Sequence, residues 1–204
     1  MSIQAPPRRR LILGSGSPYR KELLQRLHLP FETCSPDIDE SAQPGENPAA
    51  TASRLALAKA WAVARQHPDA LVIGSDQVAD LRGQALGKPG THERAVAQLR
   101  AMSGQEVLFH TALAVVCAET GFVAQDLAPV RVCFRSLGEA EIDAYLRAEQ
   151  PYDCAGSAKA EGLGIALLER IESDDPTALI GLPLMRTSAL LRRAGLSILA
   201  GDLA

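Results

Sequence analysis

The apolar residues of this 204-residue chain change their repeat partway along, and that change limits the folds open to it. In the first half, short apolar runs such as Leu11 to Leu13 and Leu71 to Gly74 alternate with segments whose apolar residues recur at helical spacing, such as Leu23, Leu24 and Leu27. From Val107 to Cys117 and from Phe122 to Phe134 the period becomes two, which predicts long strands joined near Glu119-Thr120-Gly121 as an antiparallel hairpin wing. Strands alternating with helices, plus one antiparallel hairpin, imply an α/β fold with a mixed sheet.

Turn and cap residues punctuate this pattern. Ser17-Pro18 and Asn47-Pro48 each place a hydroxyl or amide cap before a proline at the first helical position, predicting one helix there and a long alanine-rich one to about Gln66. A strand over Phe31 to Ser35, a hairpin at Arg82-Gly83 and a helix from Thr91 to Met102 follow. Ser136 and Glu139 read as a capping box for a helix through Arg147, and a last helix runs from Pro183 to Gly195. Residues 1–9 read as a flexible arm and 10–204 as a single domain, a length that buries one substantial core.

With 47% hydrophobic and 22% charged residues the chain is an ordinary globular protein, and a net charge of -3 gives it no field to attract nucleic acid. Cys34, Cys117, Cys133 and Cys154 form no C-x-x-C pair and have no histidine at metal spacing, so they read as reduced, mostly buried thiols. Neither a signal-peptide core nor a membrane span is evident, and the cytoplasm is the expected compartment.

Candidate chemistry gathers at strand ends. Gly14-Ser15-Gly16-Ser17 lies between a strand and a helix but lacks a third glycine, since Tyr19 stands at that position of a dinucleotide fingerprint. The Gly83 to Pro89 stretch is one residue short of a P-loop and carries proline where a hydroxyl belongs. What remains is a helix start with amides, the Ser15 hydroxyl and the cations Arg20 and Lys21, a cradle suited to phosphate. Asp76 is expected at the carboxyl end of an apolar strand, where open α/β sheets place ligands. Lys59 sits inside the long helix, from which it could turn toward a cleft, and Lys88 is held on the stiff Gly87-Lys88-Pro89 turn. Within the acidic loop, Glu40 is not distinguished from Asp37 or Asp39 by its own surroundings.

Taken in order, LILGSGSPYRKELL, FETCSPDIDE, ALAKA, IGSDQV, GKP, CAGSAKAEGLG and DPTALIGLPL resemble the Maf-like family over about residues 11–194. The resemblance implies a two-lobed mixed sheet with flanking helices and a central groove, similar to the inosine triphosphate pyrophosphatase fold. It further implies a pyrophosphatase of nucleoside triphosphates that uses magnesium, manganese or cobalt. Asp76 falls on the catalytic aspartate, and Ser15, Arg20, Glu40, Lys59 and Lys88 on the family's polar groove positions; the mechanism expected from these has Glu40 and Asp76 hold the metal and Ser15, Arg20, Lys59, Lys88 and Lys159 bind the phosphates.

Tyr19, Gln77 and Glu161 resemble the base-selecting residues of the branch acting on 7-methyl-GTP, although that branch usually has tryptophan where Tyr19 stands. An aromatic ring and a carboxylate suit a base made cationic by N7 methylation. The alternatives are a dTTP, UTP or CTP pyrophosphatase of the same family, or a non-catalytic nucleotide-binding regulator of cell division. A homodimer is a family expectation.

Overall fold

Four residues, Leu11–Gly14, form the first strand (β1), and the sheet built around it has a notch where the groove opens. The computed structural model describes residues 9–199; of the expected arm all but Arg9 lies outside the described residues.

After β1 come helix α1 (Pro18–Gln25), strand β2 (Glu32–Thr33), helix α2 (Pro48–Ala64), strands β3 (Leu71–Leu81) and β4 (Gln84–Leu86), and helix α3 (His92–Met102). Strands β5 (Glu106–Cys117) and β6 (Phe122–Phe134), helix α4 (Glu139–Glu149), strand β7 (Leu168–Glu172) and helix α5 (Leu184–Arg193) complete the fold. The strands make one mixed sheet in the order β2-β1-β3-β5-β6-β7, with β4 added to β3. β1 pairs in parallel with β2 and β3, and the other pairs are antiparallel.

The caps form as their chemistry requires. Ser17 Oγ accepts from Arg20 N at 3.4 Å, Asn47 Oδ1 from Ala50 N at 2.8 Å, and Thr91 Oγ1 from Arg94 N at 3.3 Å. Arg82 and Gly83 both take positive φ (55° and 84°), the two-residue turn that matches the twist of a hairpin.

Four expectations need correction. The expected Ser136–Glu139 capping box does not form: α4 begins at Glu139 with Gly138 as its cap, and Glu141 Oε2 accepts from Gly138 N at 3.0 Å. Glu139 instead pairs with Arg100 at 2.5 Å. β5 and β6 are not a wing but the middle of the sheet, because β5 pairs with β3 on its other edge. β2 shrinks to two residues, since only Ile12 and Leu13 face it across the ladder. Of the four cysteines, all unpaired, only Cys117 is buried.

Because side chains alternate along a strand, one face of the sheet carries two separate cores. Leu71, Ile73, Leu113, Val115 and Ala124 pack with Leu23, Leu24, Leu190 and Leu191, whereas Ala79, Val107, Phe109, Val130 and Val132 pack with Leu99, Met102, Ile142 and Leu146. Between them the same face presents Ser75, Gln77, Thr111 and Asp126, so the two lobes part along a polar seam. α2 covers the opposite face through Ala60, Val63 and Ala64 against Ile12, Val72, Ala114 and Val116.

Candidate active site

The β1–β3 ladder stops at Gly14 opposite Gly74, and the β3–β4 ladder begins only at Ala79 opposite Leu86. Between these points Ser75, Asp76, Gln77 and Val78 pair with β5 alone, leaving one edge of β3 open. A cavity of about 640 Å³ lies at this notch. Asp76 is therefore mid-strand, a correction to its expected place at a strand end; the carboxyl end that matters is that of β1, two residues short of it.

Asp76 and Lys59 meet because α2 lies almost directly on β3. A Cβ on Gly74 would fall 2.2 Å from Ala56 O and 2.6 Å from Ala60 N, so only glycine permits this approach. From there Lys59 Nζ reaches Asp76 Oδ1 at 2.7 Å and Glu40 Oε1 at 3.0 Å. Lys59 and Asp76 are each 6% exposed. Burial pushes the Asp76 carboxyl above its ordinary value, against the pull of Lys59 and Arg20.

Arg20 closes the second side. Its Nε donates to Gly181 O at 2.9 Å and its guanidinium to Ser15 Oγ at 3.4 Å; Ser15 Oγ also accepts from Ser17 N at 3.2 Å. Desolvation lowers the Arg20 pKa, while Asp76 and Glu40 oppose that effect. Ser75 Oγ lies 2.9 Å from the same Gly181 carbonyl. Lys88 is exposed on the turn after β4 and forms no ion pair among the described residues.

The cavity is also lined by Gln77 and by Tyr19, Glu161, Asp153 and Cys154, the last four close to one another. Gln77 Nε2 is committed to Thr111 Oγ1 (2.9 Å) and to the carbonyls of Ala178 (3.1 Å) and Leu179 (2.9 Å), which leaves its Oε1 as the available acceptor. Desolvation raises the Glu161 carboxyl above its ordinary value. Burial pushes the Cys154 thiol up to about 12, so it is no nucleophile.

A family model described as Maf-like protein matches residues 10–194. The chain belongs to the Maf-like family. Among its relatives, a protein of Polaromonas sp. (strain JS666 / ATCC BAA-500) named 7-methyl-GTP pyrophosphatase is 68% identical over 96% of this chain and 89% of its own length. Proteins of the same name from Albidiferax ferrireducens and Cupriavidus metallidurans are 65% and 60% identical, over 97% and 91% of this chain and 99% and 93% of theirs.

In this Maf-like protein Ser15, Tyr19, Arg20, Glu40, Lys59, Asp76, Gln77, Lys88 and Glu161 all line the one cavity. Lys159 does not. Its ammonium pairs with Glu149 at 2.7 Å and lies over the Tyr19 ring, 5.5 Å from the centroid. The sequence reading also missed the carbonyls of Ala178, Leu179 and Gly181, which fix Gln77, Ser75 and Arg20; their only signal was the otherwise unexplained DPTALIG string. Within that string Asp175, 1% exposed, accepts from Thr177 Oγ1 and Met185 N, both at 2.8 Å, and so holds the loop in place.

Proposed function

We propose that this protein hydrolyses 7-methyl-GTP to 7-methyl-GMP and diphosphate, removing a modified nucleotide from the pool. One observation carries the reading: the buried Lys59–Asp76 pair, joined by the exposed Glu40, lines the same cavity as Tyr19, Gln77 and Glu161. The relatives' names favour the same substrate.

Asp76 is the general base. Lys59 holds Oδ1, while Oδ2 accepts no hydrogen bond from the described residues and is left to take a proton from water. The water oxygen then bonds to the α-phosphorus, the bond from that phosphorus to the bridging oxygen breaks, and diphosphate leaves with the electron pair. Arg20, Lys59 and Lys88 offset negative charge on the phosphoryl oxygens, the main contribution a protein makes to such a transfer.

No three of the described acidic, histidine or cysteine side chains are grouped to hold a metal. Two carboxylates are nevertheless enough for magnesium or manganese bound chiefly through phosphate and water: Glu40 keeps one oxygen free of protein partners, and Asp76 Oδ2 has two lone pairs, one for the ion and one for the water proton. Those two residues would hold the ion, which would supply charge neutralisation and polarisation of the phosphate. Four unpaired thiols suit a reducing compartment, and no described helix is long and apolar enough to cross a membrane, so we place the protein in the cytoplasm.

The test is pyrophosphate release from a panel of 7-methyl-GTP, GTP, UTP, CTP and dTTP. The reading expects the highest kcat/KM on 7-methyl-GTP and a loss on the order of hundredfold in Asp76→Asn. Preference for a pyrimidine nucleotide would replace the substrate, and near-normal Asp76→Asn turnover would remove the base.

A further inference from the structure

The base end of the cavity carries more negative charge than Glu161 alone. Asp153 also lines it and is exposed; its one hydrogen bond among the described residues is from Cys154 Sγ at 3.5 Å, and no described cation pairs with it. The nearby ammonium of Lys159 is held by Glu149. Asp153 lies close enough to Tyr19, Cys154 and Glu161 to add to the upward push that burial gives all three.

Tyr19 is a weaker selector than its ring suggests. A cation already draws on its π system, because Lys159 Nζ lies 5.5 Å from the ring centroid. A second cation stacked on the same ring gains less, since both are attracted by one quadrupole. Discrimination between a charged and a neutral purine must therefore come chiefly from carboxylates, whose attraction does not depend on that ring.

We propose that Asp153 is a specificity-determining residue, which with Glu161 makes one end of the cavity anionic and so selects a nucleobase carrying positive charge. The cavity is then bipolar: Asp153 and Glu161, neither in an ion pair among the described residues, lie near Tyr19 on the side that would take the base, while Arg20, Lys59 and Lys88 outnumber Asp76 and Glu40 among the residues that would meet the phosphates. A purine methylated at N7 matches that polarity at both ends, whereas GTP matches it only at the phosphates. This inference rests on the 7-methyl-GTP reading above.

The experiment compares kcat/KM for 7-methyl-GTP and GTP in the wild type, Asp153→Asn and Asp153→Glu. In Asp153→Asn the ratio of the two falls roughly fivefold, the scale of one partly screened charge pair. The fall appears in KM for 7-methyl-GTP rather than in kcat, because the contact is remote from the reacting phosphorus. Asp153→Glu restores most of the ratio. A wild type that prefers 7-methyl-GTP, with the same ratio in Asp153→Asn, overturns the role of Asp153 alone. A wild type with no preference for 7-methyl-GTP over GTP overturns the substrate reading and this inference together. A fall of equal size on both substrates marks Asp153 as merely structural and also overturns the proposal.

Discussion

Lys59 Nζ and Asp76 Oδ1 lie 2.7 Å apart in a pocket where each residue is 6% exposed, and Glu40 approaches the same ammonium at 3.0 Å. Removing one member of a buried pair leaves the other charge unsatisfied, at about 3–5 kcal/mol. In Lys59→Met, therefore, stability at neutral pH falls by about that amount. Asp76 then titrates higher still, because burial already raises it and the opposing pull of Lys59 is gone. The base works only when deprotonated, so the acid limb of the kcat profile moves to higher pH. Residual turnover measured from pH 5 to 9 checks the direction, and a limb moving to lower pH contradicts the pairing.

Gly74→Ala tests how that pair is positioned. The added methyl meets the backbone of α2 at 2.2 and 2.6 Å, and backbone has no flexible end to yield. Overpacking on this scale costs about 1–3 kcal/mol or more. Because α2 carries Lys59 and β3 carries Asp76, moving one from the other also opens the ion pair. The variant loses both melting temperature and kcat, while Gly83→Ala, whose Cβ meets nothing within 4 Å, loses no turnover by this route.

Acid stability has a separate source. Arg54 holds the Glu46 carboxyl down to about 2 from its ordinary 4.5, with Gln43 N and Thr51 Oγ1 also donating to it. A depressed carboxyl stabilises the fold fully above 4.5, and that contribution is lost as pH falls toward 2. Asp76, being raised, acts in the opposite sense: its contribution diminishes as pH rises through its folded value. In Glu46→Gln the melting temperature falls at pH 7, and the gap to wild type closes by about pH 2, as thermal unfolding across that range will report.

Chelation separates binding from turnover. With Glu40 and Asp76 as the carboxylates of the ion site, EDTA abolishes pyrophosphate release, and magnesium or manganese restores it. The Lys59 bridge holds the same carboxylates without an ion, so the melting temperature shifts little on chelation. Full activity in EDTA contradicts the assignment of these two residues.

Much of this was legible in the sequence, and the exceptions have physical causes. Caps at Ser17 and Asn47 are local chemistry and read correctly, and the helix expected from Thr91 starts one residue later with Thr91 as its cap. β3 read as ending at Gly74 because Ser75, Asp76 and Gln77 break the apolar run, yet their partners across β5 keep the strand going. Burial of Ser75 and Asp76, with Gln77 half-buried beside them, is the signature of the notch, and no window of sequence carries it. Lys159 read as a further phosphate cation; its partner Glu149, ten residues earlier and on another element, gave no sign of the pairing in the sequence. Gly138 displaced the Ser136 cap because Glu139 is drawn to Arg100 and Glu141 closes back on Gly138.

The most direct test of the account is hydrolysis of 7-methyl-GTP by the wild-type protein in water enriched in oxygen-18, with both products examined by mass spectrometry. Water activated by Asp76 attacks the α-phosphorus, so one labelled oxygen appears in 7-methyl-GMP and none in diphosphate. Label in diphosphate, or 7-methyl-GDP and phosphate as the products, would contradict it.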